Sequence, residues 1–269
     1  MADMKAAADI EVSGLRKVFR QTDTGKAVSA IEMLDFTIHR GDMVAIVGQT
    51  GCGKSTFLNL LIGLDRPTQG RIAIGGRTPY GDFDHFRGVL ATVFQTDRLL
   101  PWRSALDNVR LPLELLGRAA GEQKERATHW LERLGLKGFE SAYPHELSGG
   151  MRQRVALARA FVIEPALLLA DEAFGHLDEV TSAALRKTFV ELARTQGNTA
   201  VVVTHQLDEA IELGGRILVF GRPAHVLADI ALASYPDDRI ATLRADIKQM
   251  LQTNLPHPEI ANPSRKDRQ

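Results

Sequence analysis

The chain has little that would mark an exported or membrane-spanning protein. Of its 269 residues one is cysteine. A lone thiol, Cys52, cannot close an internal disulfide, which points to a reducing compartment rather than to secretion. No apolar run approaches the roughly 18 residues needed to span a bilayer. The best, AVVV and ALLLA, have the length of buried strands, so work at a membrane would need another protein to hold the chain there. The first residues, MADMKAAADIEV, lack an apolar core of signal-peptide length, and no export signal is expected. Excess charge of one sign is missing too: 33 basic residues balance 33 acidic ones. Nothing global argues for nucleic acid or an acidic membrane surface as partner.

What is present is ordinary globular composition, 44% hydrophobic and 25% charged, at a length that suits one large or two small domains. Within it Met43 to Leu64 stands out. An apolar run with Val44, Ile46 and Val47 reads as a buried strand. Gly48-Gln49-Thr50-Gly51-Cys52-Gly53-Lys54-Ser55 then matches G-x-x-x-x-G-K-[ST], followed by Thr56 and an apolar helical pattern over Phe57–Leu64. Strand, glycine loop and helix in that order make a phosphate site. Glycines let consecutive N–H groups fold round an anion, and the helix N-terminus near Lys54 adds its positive dipole end. Lys54 supplies a charge for β- and γ-phosphates, and the Ser55 hydroxyl suits Mg²⁺.

Alternating patterns over Ile10–Phe19 and over Leu34, Phe36 and Ile38 predict strands with one wet face, and Arg71–Ile74 followed by Gly75-Gly76 predicts a strand and turn. An antiparallel β portion is expected there. Val89–Phe94 predicts a short strand ending at Gln95. Leu106–Leu116 and Glu122–Leu134 are helical in pattern, separated by Gly117 and Gly121, and look like an insertion between core strands. Strand Ala166–Ala170, helix Glu179–Thr195, strand Thr199–Thr204, helix Leu207–Leu213 and a last strand Arg216–Phe220 predict a mostly parallel sheet. Ile240, Leu243, Ile247, Met250 and Leu251 predict a final helix, and LPHPEIANPSRKDRQ a loosely ordered end.

Two further stretches carry chemistry. Ala166–Ala170 delivers Asp171 and Glu172 to a strand end, where alternation would point them to opposite sides. In a phosphate-loop protein the first carboxylate holds Mg²⁺ and the second orients or deprotonates water. Leu147-Ser148-Gly149-Gly150-Met151-Arg152-Gln153-Arg154 opens a helix with apolar positions Val155, Ala158 and Val162. Ser148 is placed to cap it, and the glycines leave amides open to an anion.

LSGGMRQR resembles the signature motif of the ABC-transporter ATPases, and that family's other motifs occur here in order. GQTGCGKST resembles Walker A, Gln95 the Q-loop glutamine, LLLADE Walker B, FGHLD with Asp178 the D-loop, and His205 the switch histidine. The resemblance covers about residues 10–225. It implies an α/β P-loop core, residues 1–94 and 164–230, with a mixed, mostly parallel sheet and an antiparallel β subdomain. A helical subdomain, 95–163, would interrupt the core, and 231–269 would add a helix and tail. VFQTDRLLPWRSALDNV resembles the nitrate, sulfonate and taurine importer branch.

The resemblance implies an ATP- and Mg²⁺-dependent hydrolase of two subunits closing face to face. Gly48, Gln49, Thr50, Gly51, Cys52, Gly53, Lys54, Ser55 and Thr56 would hold ATP, and Phe19 would either stack on adenine or lie in the core. Ser55, Gln95 and Asp171 would serve Mg²⁺, Glu172 and His205 would be catalytic, and Leu147, Ser148, Gly149, Gly150 and Met151 would reach the partner's ATP. Gln95 could instead be a surface amide, and His205 a helix cap. Trp102 would either face a membrane subunit or fill the helical core. Implied partners are a second copy, transmembrane permease subunits and, indirectly, a solute-binding protein, with no nucleic acid, at the cytoplasmic face of the inner membrane. Ala170, Ala173 and His176 depart from the branch pattern without removing a catalytic group. A soluble ABC-type ATPase acting on nucleic acid or ribosomes is the rival reading, disfavoured by one cassette and too short a gap for a coiled coil; an importer of an unrelated solute is another.

Overall fold

The structure, a computed structural model, describes residues 9–20, 25–175, 177–213, 215–257 and 260. The expectation for His176 and most of that for the loose end fall outside them. The chain gathers into two compact units. One joins Ala8–Phe83 to Val201–Gln269, and the other is Asp84–Ala200.

The first unit opens with β1 (Ile10–Arg20), β2 (Ala27–Ile38), β3 (Met43–Gly48), α1 (Lys54–Leu61) and β4 (Gln69–Ile74). β1 pairs antiparallel with β2 and with β4, giving the antiparallel portion that the alternation predicts. β3 is buried at every residue, as a strand covered on both faces must be. α1 stops earlier than its pattern: Leu64 lies beyond it and is largely exposed.

In the second unit come β5 (Leu90–Phe94), α2 (Ala105–Leu115), α3 (Ala120–Arg133), α4 (Gly149–Phe161), β6 (Leu167–Asp171) and α5 (Glu179–Gln196). β5 and β6 are parallel neighbours. α3 takes in Gly121 rather than starting after it, because a glycine in the first turn costs little. Val109, Leu113, Ala127, Leu131, Leu157 and Phe161 are fully buried among the helices. Trp130 stacks on Phe161 with ring centroids 5.4 Å apart, and Phe161 and Phe174 each meet Phe189 edge-on. Buried Asn108 staples the segment ahead of α2. Its Oδ1 accepts from the Leu100 N–H at 2.8 Å, and its Nδ2 donates to the carbonyls of Leu100, Arg103 and Ser104 at 3.1, 3.0 and 3.0 Å.

β7 (Thr199–Thr204) carries the chain back into the first unit, which ends with α6 (Leu207–Glu212), β8 (Arg216–Phe220), β9 (Ala224–Ala231) and α7 (Ile240–Thr253). β8 is therefore not the last strand. β9 pairs antiparallel with β8 and parallel with β2, and β8 lies parallel to β3, so the order in this unit runs β4-β1-β2-β9-β8-β3. The alanines, His225 and Asp229 of β9 hide its strand character from a periodicity reading. Asp229 explains itself across the ladder, where it accepts from Arg216 Nε and Nη2 at 2.6 and 2.5 Å and holds that guanidinium above its ordinary pKa. Phe36, Phe57 and Phe220 meet at 5.6 to 6.2 Å and seat α1 on the sheet beside the phosphate loop.

Candidate active site

In the first unit the glycine loop hangs between the buried end of β3 and the start of α1. Gly53 is the N-cap at φ +119°, and a Cβ there would lie 2.3 Å from the Ala30 carbonyl oxygen and 2.9 Å from Ala224 Cβ. Only glycine fits. The cap contributes no side-chain hydrogen bond and the first turn has no acid, so the opening amides of α1 and its dipole face the loop. Lys54 is 5% exposed. Its Nζ curls back to donate to the Gly48 and Gln49 carbonyls at 2.7 and 3.1 Å, leaving one of its three donors for an anion in the loop. Burial pushes the Cys52 thiol up, against the pull of the Lys54 charge.

His205 lies just past β7 and is exposed. Thr204 holds its turn: the hydroxyl donates to the buried Glu209 carboxylate and accepts from the Gln206 N–H at 2.9 Å. The N-cap of α6 is Gln206, without a side-chain cap bond, so His205 is not the cap of that helix. Phe19 is 43% exposed, with the Lys17 ammonium 4.8 Å from its ring centroid; it is not a core residue.

The second unit gathers the acidic and signature residues. Phe94 and Asp171 are register partners at the ends of β5 and β6, so Gln95 and Glu172 leave the two strands side by side. Gln95 Nε2 donates to Glu172 Oε2 at 3.4 Å, a long bond that gives the amide a partner. Strand alternation does not set the two carboxylates apart. β6 ends at Asp171, and Glu172 sits at φ +47° in the left-handed region, which few side chains adopt without a local reason.

Ser148 caps α4 as its position predicts, accepting from the Met151 N–H at 3.3 Å. Leu147 beside it is buried. Gly149 and Gly150 have a packing reason as well: Cβ atoms there would meet Leu177 Cδ2 at 3.3 Å and Thr181 Cγ2 at 2.9 Å. The signature glycines thus lie against the D-loop end of α5. Asp178 is the N-cap of α5 and accepts from the Thr181 N–H at 3.0 Å; hydrogen bonding from the Thr181 side chain first, and from its N–H second, lowers the carboxyl pKa.

Sequence reasoning missed the residues that tie α4 to the acidic strand ends. Gln153, 5% exposed, donates to the Ala173 carbonyl at 2.6 Å and to the Phe94 carbonyl at 3.5 Å. Arg152 Nε donates to Asp97 at 3.0 Å, and Arg159 donates to the carbonyls of Asp97 and Arg98 at 2.6 and 2.7 Å. A polar residue repeated on a helix otherwise apolar toward its core was the available signal. Trp102 is 71% exposed and does not fill the helical core.

Comparison with known proteins adds the decisive observation: residues 31–175 match the family model described as ABC transporter. The chain belongs to the ABC transporter family. Curated relatives of this ABC ATPase include a taurine import ATP-binding protein of Rhizobium johnstonii, 41% identical over 78% of this chain and 79% of that one. A nitrate transport protein of Klebsiella oxytoca is 36% identical, with 88% and 90% covered. An aliphatic sulfonates import ATP-binding protein of Rhodococcus jostii is also 36% identical, with 88% and 94% covered. Among solved structures, the dimeric post-hydrolysis state of an ATP-binding cassette bound to ADP and Pi superposes with a TM-score of 0.75 at 31% identity, covering 84% of this chain and all of that one. The ABC ATPase therefore has the P-loop cassette fold, binds adenine nucleotide and hydrolyses ATP as an importer-type subunit. Among the described residues no helix is long and apolar enough to cross a membrane.

Proposed function

We propose that this ABC ATPase drives import of a small anionic solute of the nitrate, taurine or sulfonate kind, two copies closing face to face on two ATP molecules. The observation that carries the solute class is the match to taurine and aliphatic sulfonates import ATP-binding proteins and a nitrate transport protein over 78 to 88% of the chain. The dimer reading is supported by the dimeric cassette that it resembles. Transmembrane permease subunits would hold the protein at the cytoplasmic face of the inner membrane, a solute-binding protein would deliver the cargo, and nucleic acid has no part. Residues 95–163 would be the helical arm that carries the signature, set between the two pieces of the core, 1–94 and 164–230, with 231–269 as an appendage.

In each active site the Gly48–Thr56 loop binds the triphosphate, with Lys54 on the β- and γ-phosphates and Phe19 against adenine. Ser55, Gln95 and Asp171 offer hydroxyl, amide and carboxylate oxygens, the hard donors that Mg²⁺ takes, and the ion would neutralise phosphate charge there. Glu172, steadied by Gln95, accepts the proton of the attacking water. His205 orients that water at the γ-phosphate. Ser148 and Gly150 of one copy, with Leu147, Gly149 and Met151 shaping the helix start, face the other copy's ATP, where amides stabilise the charge that builds in the transition state.

The solute reading is tested with the ATPase assembled with its own permease and binding protein in liposomes. Stimulated hydrolysis with nitrate, taurine or an alkanesulfonate is expected. A complex that responds to none of these solutes, but does respond to a sugar or a cation, would overturn it.

A further inference from the structure

Arg222 stands in the turn between β8 and β9, outside every motif assigned above. Its guanidinium runs along the phosphate loop: a Cβ on Gly51 would lie 3.9 Å from Nη2 and 4.0 Å from Cζ. Its charge also bears on buried Cys52 inside the loop. The turn does not hold Arg222 alone. The Arg222 N–H donates to Asn254 Oδ1 at 2.7 Å, and Asn254 Nδ2 donates to the Arg222 carbonyl at 3.0 Å. Asn254 is the C-cap of α7 at φ +57°, a conformation that asparagine and glycine tolerate. Gly221 makes room for this clasp, since a Cβ there would lie 2.6 Å from Asn254 Oδ1. A second tether runs from the loop itself, where Gln49 Nε2 donates to the Leu251 carbonyl at 2.6 Å. The end of α7 thus grips the phosphate loop and the neighbouring arginine together.

We propose that Arg222 is a further nucleotide-binding residue, a second cation for the phosphates of ATP, and that Asn254 is the residue that positions it. The proposal rests on reading Gly48–Thr56 as the ATP site. Lys54 is buried and already spends two donors on loop carbonyls, whereas Arg222 is exposed and carries a planar fork suited to phosphate oxygens.

The test is equilibrium ATP binding to full-length Arg222→Ala, Arg222→Lys, Asn254→Gly, the Arg222→Ala/Asn254→Gly double variant and Lys54→Ala, each at several KCl concentrations. Arg222→Ala should raise the ATP Kd about five- to tenfold and flatten its salt dependence, because an exposed cation–phosphate attraction is screened. Arg222→Lys should recover part of both. Asn254→Gly keeps the left-handed helix end while removing both hydrogen bonds, so it should weaken ATP binding alone and add nothing to Arg222→Ala. Wild-type affinity and salt slope in Arg222→Ala would overturn the binding role. An Asn254→Gly effect of equal size in both backgrounds would overturn the positioning role. Lys54→Ala separates this proposal from its premise: if it binds ATP normally the site itself is elsewhere and the proposal falls with it, whereas impaired Lys54→Ala beside unimpaired Arg222→Ala overturns the proposal alone.

Discussion

Single residues here do more than fill motif positions, and their surroundings decide how each will respond to change. Cys52 lies in the phosphate loop but is 1% exposed, with a thiol pushed up by burial. Since only the thiolate attacks, a raised pKa leaves less of it at neutral pH. We therefore expect iodoacetamide to label Cys52 much more slowly than a free thiol at pH 7, to speed up as pH rises, and to label fast once the protein is unfolded; mass spectrometry of timed samples reads all three. Asn108 is the second case. Its amide closes four hydrogen bonds inside the second unit, and Asn108→Ala would leave four backbone groups without that partner. A loss of about 2–4 kcal/mol is expected on that count, seen as a lower urea midpoint with the ATP affinity unchanged. Neither role was legible in the sequence. A buried asparagine looks like any surface asparagine until the backbone around it is placed. The motif residues were legible because their chemistry is local: Gly53 needs φ +119° and no Cβ, and Ser148 needs only the amide three residues on.

Between elements, the acidic strand ends and the signature helix form one polar assembly. β5 and β6 end in register, Gln95 and Glu172 meet just beyond them, and Gln153 of α4 bonds to carbonyls at both strand ends. Gln153→Leu keeps the volume and removes the amide, leaving the Ala173 carbonyl without its donor. It should cost about 1–3 kcal/mol of stability and lower kcat more than ATP affinity, since it loosens the strap next to Glu172 rather than the phosphate loop. Steady-state kinetics beside equilibrium ATP binding separates the two effects. At this scale periodicity read the strands and helices well where apolar spacing was regular. It failed at β9, whose alanines and Asp229 make sense only against Arg216 on β8. It also set Asp171 and Glu172 on a common strand, whereas Glu172 has already left it at φ +47°. Both failures have one physical cause. A strand's neighbours and the point where its ladder stops are tertiary facts, and side-chain alternation does not carry them.

For the whole molecule, the arrangement of motifs sets the expectation of a shared site. The phosphate loop and His205 lie in one compact unit, and the signature, Gln95, Asp171 and Glu172 in the other. A signature helix that opens on Ser148 and two glycines presents its start to a second anion, which in our reading belongs to a second copy. Hydrolysis per protein molecule should then rise with protein concentration and level off as dimers fill, while the dilute monomer still binds ATP, more weakly than the dimer does. Specific activity that is flat down to nanomolar protein would argue for a self-sufficient monomer. The family and the fold class were legible in the sequence because six short motifs stand in order along one chain, and residues 31–175 match the family model. The grip of α7 on the phosphate loop was not, since Gln49 and Leu251 are 202 positions apart and neither belongs to a pattern shared with the other.

The most direct measurement is MgATP turnover by Glu172→Gln beside ATP binding by the same variant. The substitution keeps the shape at the end of β6 and removes the base. Turnover should fall about 10²–10⁴-fold with ATP affinity retained and the apparent mass doubled in ATP. Turnover within a few-fold of the wild type would contradict the assignment of Glu172 as the catalytic carboxylate.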